Sequence, residues 1–160
     1  PKIIGPNEIV HLEFAGVSRR YHSVSMITMA TGEPGKRARW LYDVALESLN
    51  EGLAACRPGA HVADIDNASL APIRRAGLVH AALMRFGIGI GIGYPPIWVG
   101  TFQIDRFSDG VLRPGMVFYV HSWLSLLDEG LGVMIGGTYL VSDSGIELLS
   151  GAGAVDLFVA

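Results

Sequence analysis

The sequence predicts an α+β domain with a curved, mostly antiparallel sheet that is backed by two or more helices. Three observations support this prediction: alternating apolar segments near both ends of the chain, two segments of helical periodicity between them, and turn residues where the pattern changes. The chain has 160 residues, of which half are hydrophobic, and this is enough for one domain with a sizeable core. We therefore expect residues 1–160 to form a single domain.

Two strands are predicted at the start of the chain. Glu8–Phe14 alternates loosely and is the first strand, Ala15–Arg20 is the connection, and Tyr21–Ala30 is the second strand. The next segment, Thr31–Gly35, contains the glycine and proline that are typical of a loop.

Two helices follow the strand pair. Apolar residues recur at helical spacing from Lys36 to Cys56, and the Arg-Pro-Gly sequence that begins at Arg57 ends this helix. A second helix is predicted from about Val62 to Ala76. Because proline lacks the amide donor that an inner helical position needs, we expect Pro72 to kink or restart this helix.

The segment Phe86–Pro96 alternates glycine with isoleucine and is predicted to be a strand. Ile88, Ile90 and Ile92 would share one face, with glycines on the other. Glycine weakens a strand, so this pattern indicates that another backbone or a ligand comes very close. Neither the dinucleotide-binding fingerprint nor a phosphate-binding loop is present in this segment.

The rest of the chain is predicted to be irregular and then rich in strands. An irregular segment, Pro95–Asp109, precedes a strand from Met116 to about Leu124. Asp128–Gly130 is a predicted turn, and a closing hairpin joins Val133–Val141 to Ile146–Leu149.

Composition excludes several classes of function. The net charge is −3 and the only basic cluster surrounds Arg37, so we expect no nucleic-acid partner. No apolar run is long enough to predict a membrane span, and the single Cys56 allows neither an intrachain disulfide nor a thiolate metal cluster. In the absence of a recognisable signal peptide we expect a cytoplasmic protein. The high apolar content favours an oligomer, most simply a homodimer.

Four segments resemble the pita-bread hydrolases, the superfamily of creatinase, Xaa-Pro aminopeptidase, prolidase and methionine aminopeptidase. The glycine strand is similar to their Gly-His-Gly-Ile-Gly strand, and Glu13–His22 resembles a strand pair of the ectoine-hydrolase-like branch. Leu112–Phe118 and Thr138–Gly145 resemble the Leu-x-Pro-Gly-Met-Val-Phe motif and the closing hairpin. The resemblance implies a pita-bread fold with its site on the concave face. It also implies a partial domain that lacks its amino-terminal part.

The resembling peptidases bind two divalent metals through two Asp, one His and two Glu. By motif, these five positions fall on Glu13, Val24, Ile90, His121 and Gly136. Only two of the five retain a possible ligand. The resemblance therefore implies that the chain has no metal site and no cofactor.

Loss of the metals does not exclude catalysis, because creatinase and the ectoine-hydrolase-like proteins lack the metal set and still act on small nitrogen compounds. The resemblance thus implies a metal-independent hydrolase of a C–N bond, with His121 and Glu13 as catalytic candidates and a small molecule as substrate. The alternative is a catalytically inactive pita-bread protein that acts as a binding or regulatory module. A less favoured alternative is an Xaa-Pro-type metallopeptidase.

The candidate residues also have structural interpretations. Glu13 could pair with Arg19 or Arg20 across the hairpin, and His121 could be a hydrogen-bonded core histidine. Four further residues are candidates for substrate binding, although each could instead be a core or interface residue: Tyr94, His22, Trp98 and Trp123. If the mapping holds, Glu13, Ile90, Tyr94 and His121 should lie close together.

Overall fold

The structure is a computed structural model that describes residues 2–94 and 96–150, together with the backbone of 158–159. Within these ranges eight strands form one sheet, in the order β1-β2-β6-β5-β3-β4, with β7 on β6 and β8 on β2. Every strand pair is antiparallel except β2–β8. The strands are β1 (Ile9–Ser18), β2 (Tyr21–Ala30), β3 (Gly87–Gly89), β4 (Gln103–Ile104), β5 (Val117–Leu126), β6 (Leu131–Ser142), β7 (Gly145–Leu148) and β8 (Phe158–Val159). The helices are α1 (Lys36–Ala55) and α2 (Val62–Arg75). The predicted α+β class is confirmed.

The first hairpin is longer than the sequence predicts. Strand β1 continues to Ser18, so residues 15–18 are paired strand and not a connection. The turn consists of Arg19 and Arg20, whose φ angles are 47° and 70°. Positive φ at both central residues is the geometry of a tight two-residue hairpin turn, which usually contains Asn or Gly. Because arginine is not typical of this turn, the sequence does not indicate a two-residue hairpin turn at these positions.

Both helices lie close to their predicted positions. The prediction that Pro72 restarts α2 is wrong, since the helix runs without a break to Arg75. Only three helical residues follow Pro72, so the missing amide removes one hydrogen bond near the end of the helix. In the described part of the chain, neither helix combines the length and hydropathy that are needed to cross a bilayer.

The two faces of the sheet have different environments. On the helix-covered face, Phe118, Val120 and Leu124 of β5 pack with α1 and α2 in the larger apolar core. The opposite face, here the open face, carries the alternate residues Tyr119 and Trp123 of β5. They pack in a small cluster whose buried members also include Val24, Met26, Ile88 and Met134. The described helices contribute no residue to this second cluster.

Strands β2 and β6 meet through side chains as much as through the backbone. Their ladder has one pair, Met26 with Gly136. On one side of it the Thr138 hydroxyl bonds both the amide and the carbonyl of Val24. On the other side the Thr28 hydroxyl bonds the amide and the carbonyl of Met134. These buried hydroxyls satisfy backbone groups that a regular ladder would have paired.

The glycine-rich segment forms a shorter strand than predicted. Strand β3 contains Gly87–Gly89, so of the three isoleucines predicted to share one strand face only Ile88 lies within the strand. Gly91 has a φ of 155°, and Ile92 is 74% exposed. The expected close approach does occur at Gly87. A Cβ atom there would lie 2.6 Å from Val120 Cγ1 and 2.7 Å from the Tyr119 carbonyl oxygen.

Candidate functional site

A pocket of about 320 Å³ opens on the open face of the sheet and contains both catalytic candidates. Strands β1, β3 and β5 supply its floor, while residues 84–85 and 96–99 form its walls. We call it the site pocket. Its lining residues are Glu13, Met84, Arg85, Ile88, Pro96, Ile97, Trp98, Val99, Tyr119 and His121.

Glu13 is held in the site pocket by Tyr119, whose hydroxyl donates a hydrogen bond to Glu13 Oε1 at 3.1 Å. Strands β1 and β5 are separated by β2 and β6, which would place them about 14 Å apart in a flat sheet. Curvature of the sheet and two long side chains therefore bring these groups together. Burial, with the nearby Glu13 charge as a second cause, raises the pKa of Tyr119 far above its usual value. The phenol therefore remains a hydrogen-bond donor to the carboxylate.

The alternative pairing of Glu13 with an arginine is not formed between described residues. The guanidinium of Arg20 instead lies 5.4 Å from the ring centroid of Tyr94. In the described part of the chain, no protein group donates a hydrogen bond to Glu13 Oε2. One carboxylate oxygen is thus available to a ligand.

His121 is 7% exposed and its ring centroid lies 5.3 Å from that of Tyr119. Burial lowers the pKa of His121 to about 4, and the positive charge of Arg85 contributes in the same direction. The imidazole is therefore neutral at pH 7. Its Nδ1 atom is buried and has no hydrogen-bond partner among the described residues.

Arg85 is a pocket residue that sequence analysis missed. Its exposed guanidinium donates a hydrogen bond to Gln103 Oε1 of β4 and places a positive charge at the rim of the pocket. The available signal was a charged side chain immediately before a buried glycine strand. Tyr119 was also missed, although strand alternation places it on the same face as His121.

The structure separates the other candidate residues. Trp98 lines the site pocket, but Tyr94 and Ile90 line a neighbouring groove of about 420 Å³. Tyr94 is 68% exposed and follows a short bridge in which Ile92 pairs with Tyr21 at the start of β2. Of the expected cluster of Glu13, Ile90, Tyr94 and His121, two members line the site pocket and two line the neighbouring groove.

His22 and Trp123 also lie outside the site pocket. His22 is buried, and its Nδ1 atom lies 3.3 Å from the Gly91 carbonyl oxygen. Trp123 lies two residues beyond His121 along β5, and its indole nitrogen donates a hydrogen bond to Ser125 Oγ at 2.8 Å. The direction of the strands thus carries both side chains away from the pocket.

The three positions that lack a metal ligand in the sequence are closed to one in the fold. Val24 is fully buried, and Ile90 packs against the same apolar cluster. At Gly136 a Cβ atom would lie 2.4 Å from the Val120 carbonyl oxygen and 2.7 Å from His121 Cβ. Within the described residues, no group of three or more His, Cys, Asp or Glu side chains is arranged to hold a metal ion.

Comparisons with known proteins agree with this fold. The model of metallopeptidase family M24 matches residues 1–143. The ectoine hydrolase of Halomonas elongata is 34% identical over 139 residues, which are 86% of this chain and 34% of that protein. The Xaa-Pro dipeptidase of Pyrococcus furiosus is 24% identical over 149 residues, which are 93% of this chain and 41% of that protein.

The fold is also found among solved structures. The X-Pro aminopeptidase of Thermotoga maritima superposes with a TM-score of 0.90 at 21% identity, covering 99% of this chain and 44% of that one. At that identity the likeness shows the pita-bread fold alone. The chain thus spans less than half the length of each of these relatives.

Proposed function

The chain belongs to metallopeptidase family M24, and within that family we propose that it forms part of a metal-independent hydrolase that opens a C–N bond of a small nitrogen compound. The observation that carries the proposal is the site pocket, which both Glu13 and His121 line and around which the described residues form no metal-ligand set. The 34% identity to an ectoine hydrolase supports the same class of substrate.

The residues at the family's metal positions do not fit a pair of divalent cations. Two hard cations need several anionic oxygens, and the five positions offer one carboxylate, Glu13, and one neutral imidazole, His121. At Gly136 the contact with the Val120 carbonyl oxygen leaves no space for a side chain unless β5 moves. We therefore assign no step to a metal.

The charges around the pocket favour a small zwitterion. Glu13 Oε2 can bind an ammonium or amidinium group, and Arg85 can exchange Gln103 for a carboxylate, with which it forms stronger hydrogen bonds. Ile88, Trp98 and the buried Tyr119 ring would contact the apolar body of the molecule. The neutral His121 can accept a proton from a water molecule whose oxygen attacks the C–N carbon. It can then pass this proton to the leaving nitrogen as the C–N bond breaks.

Binding of ectoine, which carries an amidinium and a carboxylate, tests this proposal in the encoded full-length protein. We expect calorimetric binding and product formation without added metal, and unchanged rates after treatment with a chelator. Glu13→Gln and His121→Ala should abolish turnover, whereas Glu147→Gln on β7 and the buried His22→Ala should retain it. Activity that requires Mn²⁺ or Zn²⁺ would instead support the Xaa-Pro-type metallopeptidase.

A second candidate is a binding or regulatory module that does not catalyse. The observation in its favour is that Val24 and Ile90 make the central part of the open face apolar, while Tyr119 already satisfies one oxygen of Glu13. This candidate predicts binding of a small zwitterion that Glu13→Gln abolishes, without any product. The same binding and turnover experiment therefore separates the two functions.

We also propose that the protein acts in the cytoplasm as a homodimer. The support is the edge strand β1, where Phe14 is 56% and Val17 53% exposed. Light scattering tests the dimer against a monomer of 17.1 kDa for this chain.

A further inference from the structure

A second and much smaller cavity lies behind His121, between β5 and the helices. It is lined by Ser48 of α1, Asp66 and Ser69 of α2, and His121 and Ser122 of β5, among other residues. Its volume is about 20 Å³, which is enough for one water molecule. His121 lines both this cavity and the site pocket, so this residue forms part of the wall between them.

Two of the residues that line this cavity each have a buried side-chain atom without a partner among the described residues: His121 Nδ1 and Ser122 Oγ. Two polar neighbours in the cavity wall, Asp66 and Ser69, already have partners. Asp66 Oδ2 accepts hydrogen bonds from the amide and the guanidinium of Arg106, and Ser69 Oγ donates to the Asp66 carbonyl oxygen at 2.8 Å. Buried polar atoms in folded proteins almost always have a protein or water partner.

We propose that an ordered water molecule in this cavity bridges His121 Nδ1 and Ser122 Oγ, and that Ser122 is thereby a positioning residue for the His121 imidazole. A water molecule with these two partners meets the requirement for a stable buried site. It holds the ring from behind, on the side away from the site pocket. The water site rests on the geometry of the cavity, and only its catalytic consequence rests on the proposed function.

The surrounding charges determine which imidazole nitrogen carries the proton. Asp66 brings its carboxylate to the cavity, although Arg106 pairs with it, whereas Arg85 brings a positive charge to the site pocket. Tyr119, also on the pocket side, directs its hydroxyl hydrogen to Glu13. This arrangement favours a proton on Nδ1, donated to the water, and a lone pair on Nε2. The pocket would then contain a nitrogen that can accept a proton.

Nuclear magnetic resonance of the full chain with ¹⁵N-labelled histidine tests the tautomer. Of the five histidines, the His121 signals are identified by their loss in His121→Gln. We expect the Nδ1–H tautomer for His121 in the unsubstituted protein, and one water between Nδ1 and Ser122 Oγ in a high-resolution crystal structure.

Ser122→Val is the test variant, because valine has no hydroxyl and its methyl groups would fill the cavity. We expect the water to disappear and the ratio of Nδ1–H to Nε2–H tautomer to fall about fivefold, the effect of one net hydrogen bond. Ser69→Ala is the matched control, since its hydroxyl is already bonded, and it should leave the ratio unchanged. If Ser122→Val does not fold, Ser122→Ala provides the comparison, with a smaller shift in the same direction.

A crystal structure without this water, or His121 spectra that are identical in the Ser122 variants and the unsubstituted protein, would overturn the inference. These outcomes are separate from failure of the proposed function. If the water and the tautomer are found but ectoine neither binds nor reacts, the water site stands and the proposed function fails. If ectoine is hydrolysed but the Ser122 variants leave the tautomer unchanged, only the present inference fails.

Discussion

Strand β5 contributes side chains to both faces of the sheet, and the two faces have different environments. Along β5, Phe118 and Val120 point into the helix-covered core, whereas Tyr119 and His121 point into the site pocket. The first pair packs in the apolar core, whereas the second pair carries polar groups that need hydrogen-bond partners. Adjacent positions of β5 therefore have different roles. Substitutions on the helix-covered face should mainly lower fold stability, and substitutions at the site pocket should mainly change ligand binding.

The largest expected effect is at Gly87, whose missing side chain lets β3 approach β5. Gly87→Val should lower the free energy of unfolding by about 3 kcal/mol or prevent folding, because the added atoms overlap Val120 and the Tyr119 carbonyl. Gly16→Val is the matched control in the exposed strand β1, where a Cβ atom would lie 4.0 Å from the Ser23 carbonyl oxygen. Urea unfolding should show no loss for the control. Equal losses in both variants would contradict the crowding at Gly87 as the cause.

Removal of a large apolar side chain should also have unequal effects. Leu41 of α1 is fully buried in the helix-covered core, and Leu41→Ala should cost about 3 kcal/mol through lost burial and the remaining cavity. Phe14 of β1 is 56% exposed, and Phe14→Ala should cost less than about 1 kcal/mol in the monomer. Thermal or urea unfolding at low protein concentration measures both. A larger loss for Phe14→Ala would indicate that the edge strand is buried in an assembly.

The open face should make the fold sensitive to acid through His121. Its pKa in the folded chain is lowered to about 4, so between about pH 6.5 and 4 the unfolded chain binds a proton that the folded chain does not. Stability should therefore fall by about 3 kcal/mol as the pH drops through this window. Urea unfolding at several pH values measures this fall, and His121→Gln should flatten the curve. The same slope in His121→Gln would assign the effect to other groups.

The smallest effect on stability is expected at Glu13. Its side chain is exposed and makes one hydrogen bond to Tyr119, so Glu13→Gln should change the free energy of unfolding by less than about 1 kcal/mol. The pKa of Tyr119 should move back towards its usual value without reaching it, because burial is the larger cause of its rise. Absorbance titration of the phenol measures this change. An unchanged pKa would show that the Glu13 charge does not contribute to the raised pKa of Tyr119.

Local patterns predicted much of the fold. The periodicity of α1 and the alternation of β2 gave these elements almost to the residue. The length of β1 could not be inferred, because Arg19 and Arg20 adopt a turn geometry that their residue type does not suggest. The end of β3 at Gly89 was hidden for a similar reason, since a glycine pattern fits both a strand and a turn.

The site was predicted in part. Glu13 and His121 were identified through their motifs, and the structure places both at one pocket. The contact of Glu13 with Tyr119 depends on how far the sheet curves over four strands, and no local pattern specifies that curvature. Arg85 was overlooked because its role depends on a pocket wall that is formed by a segment distant in sequence.

The crowding at Gly136 limits which sequences are accessible from this one. A single substitution to Glu at that position would bring its Cβ to 2.4 Å from the Val120 carbonyl oxygen. A carboxylate could be accommodated there only after β5 and β6 had separated, which requires compensating changes along both strands. Each step towards a metal-binding relative would therefore be harmful before the later steps made it useful. In evolutionary terms, the glycine at this position opposes a return to a sequence with a metal ligand there.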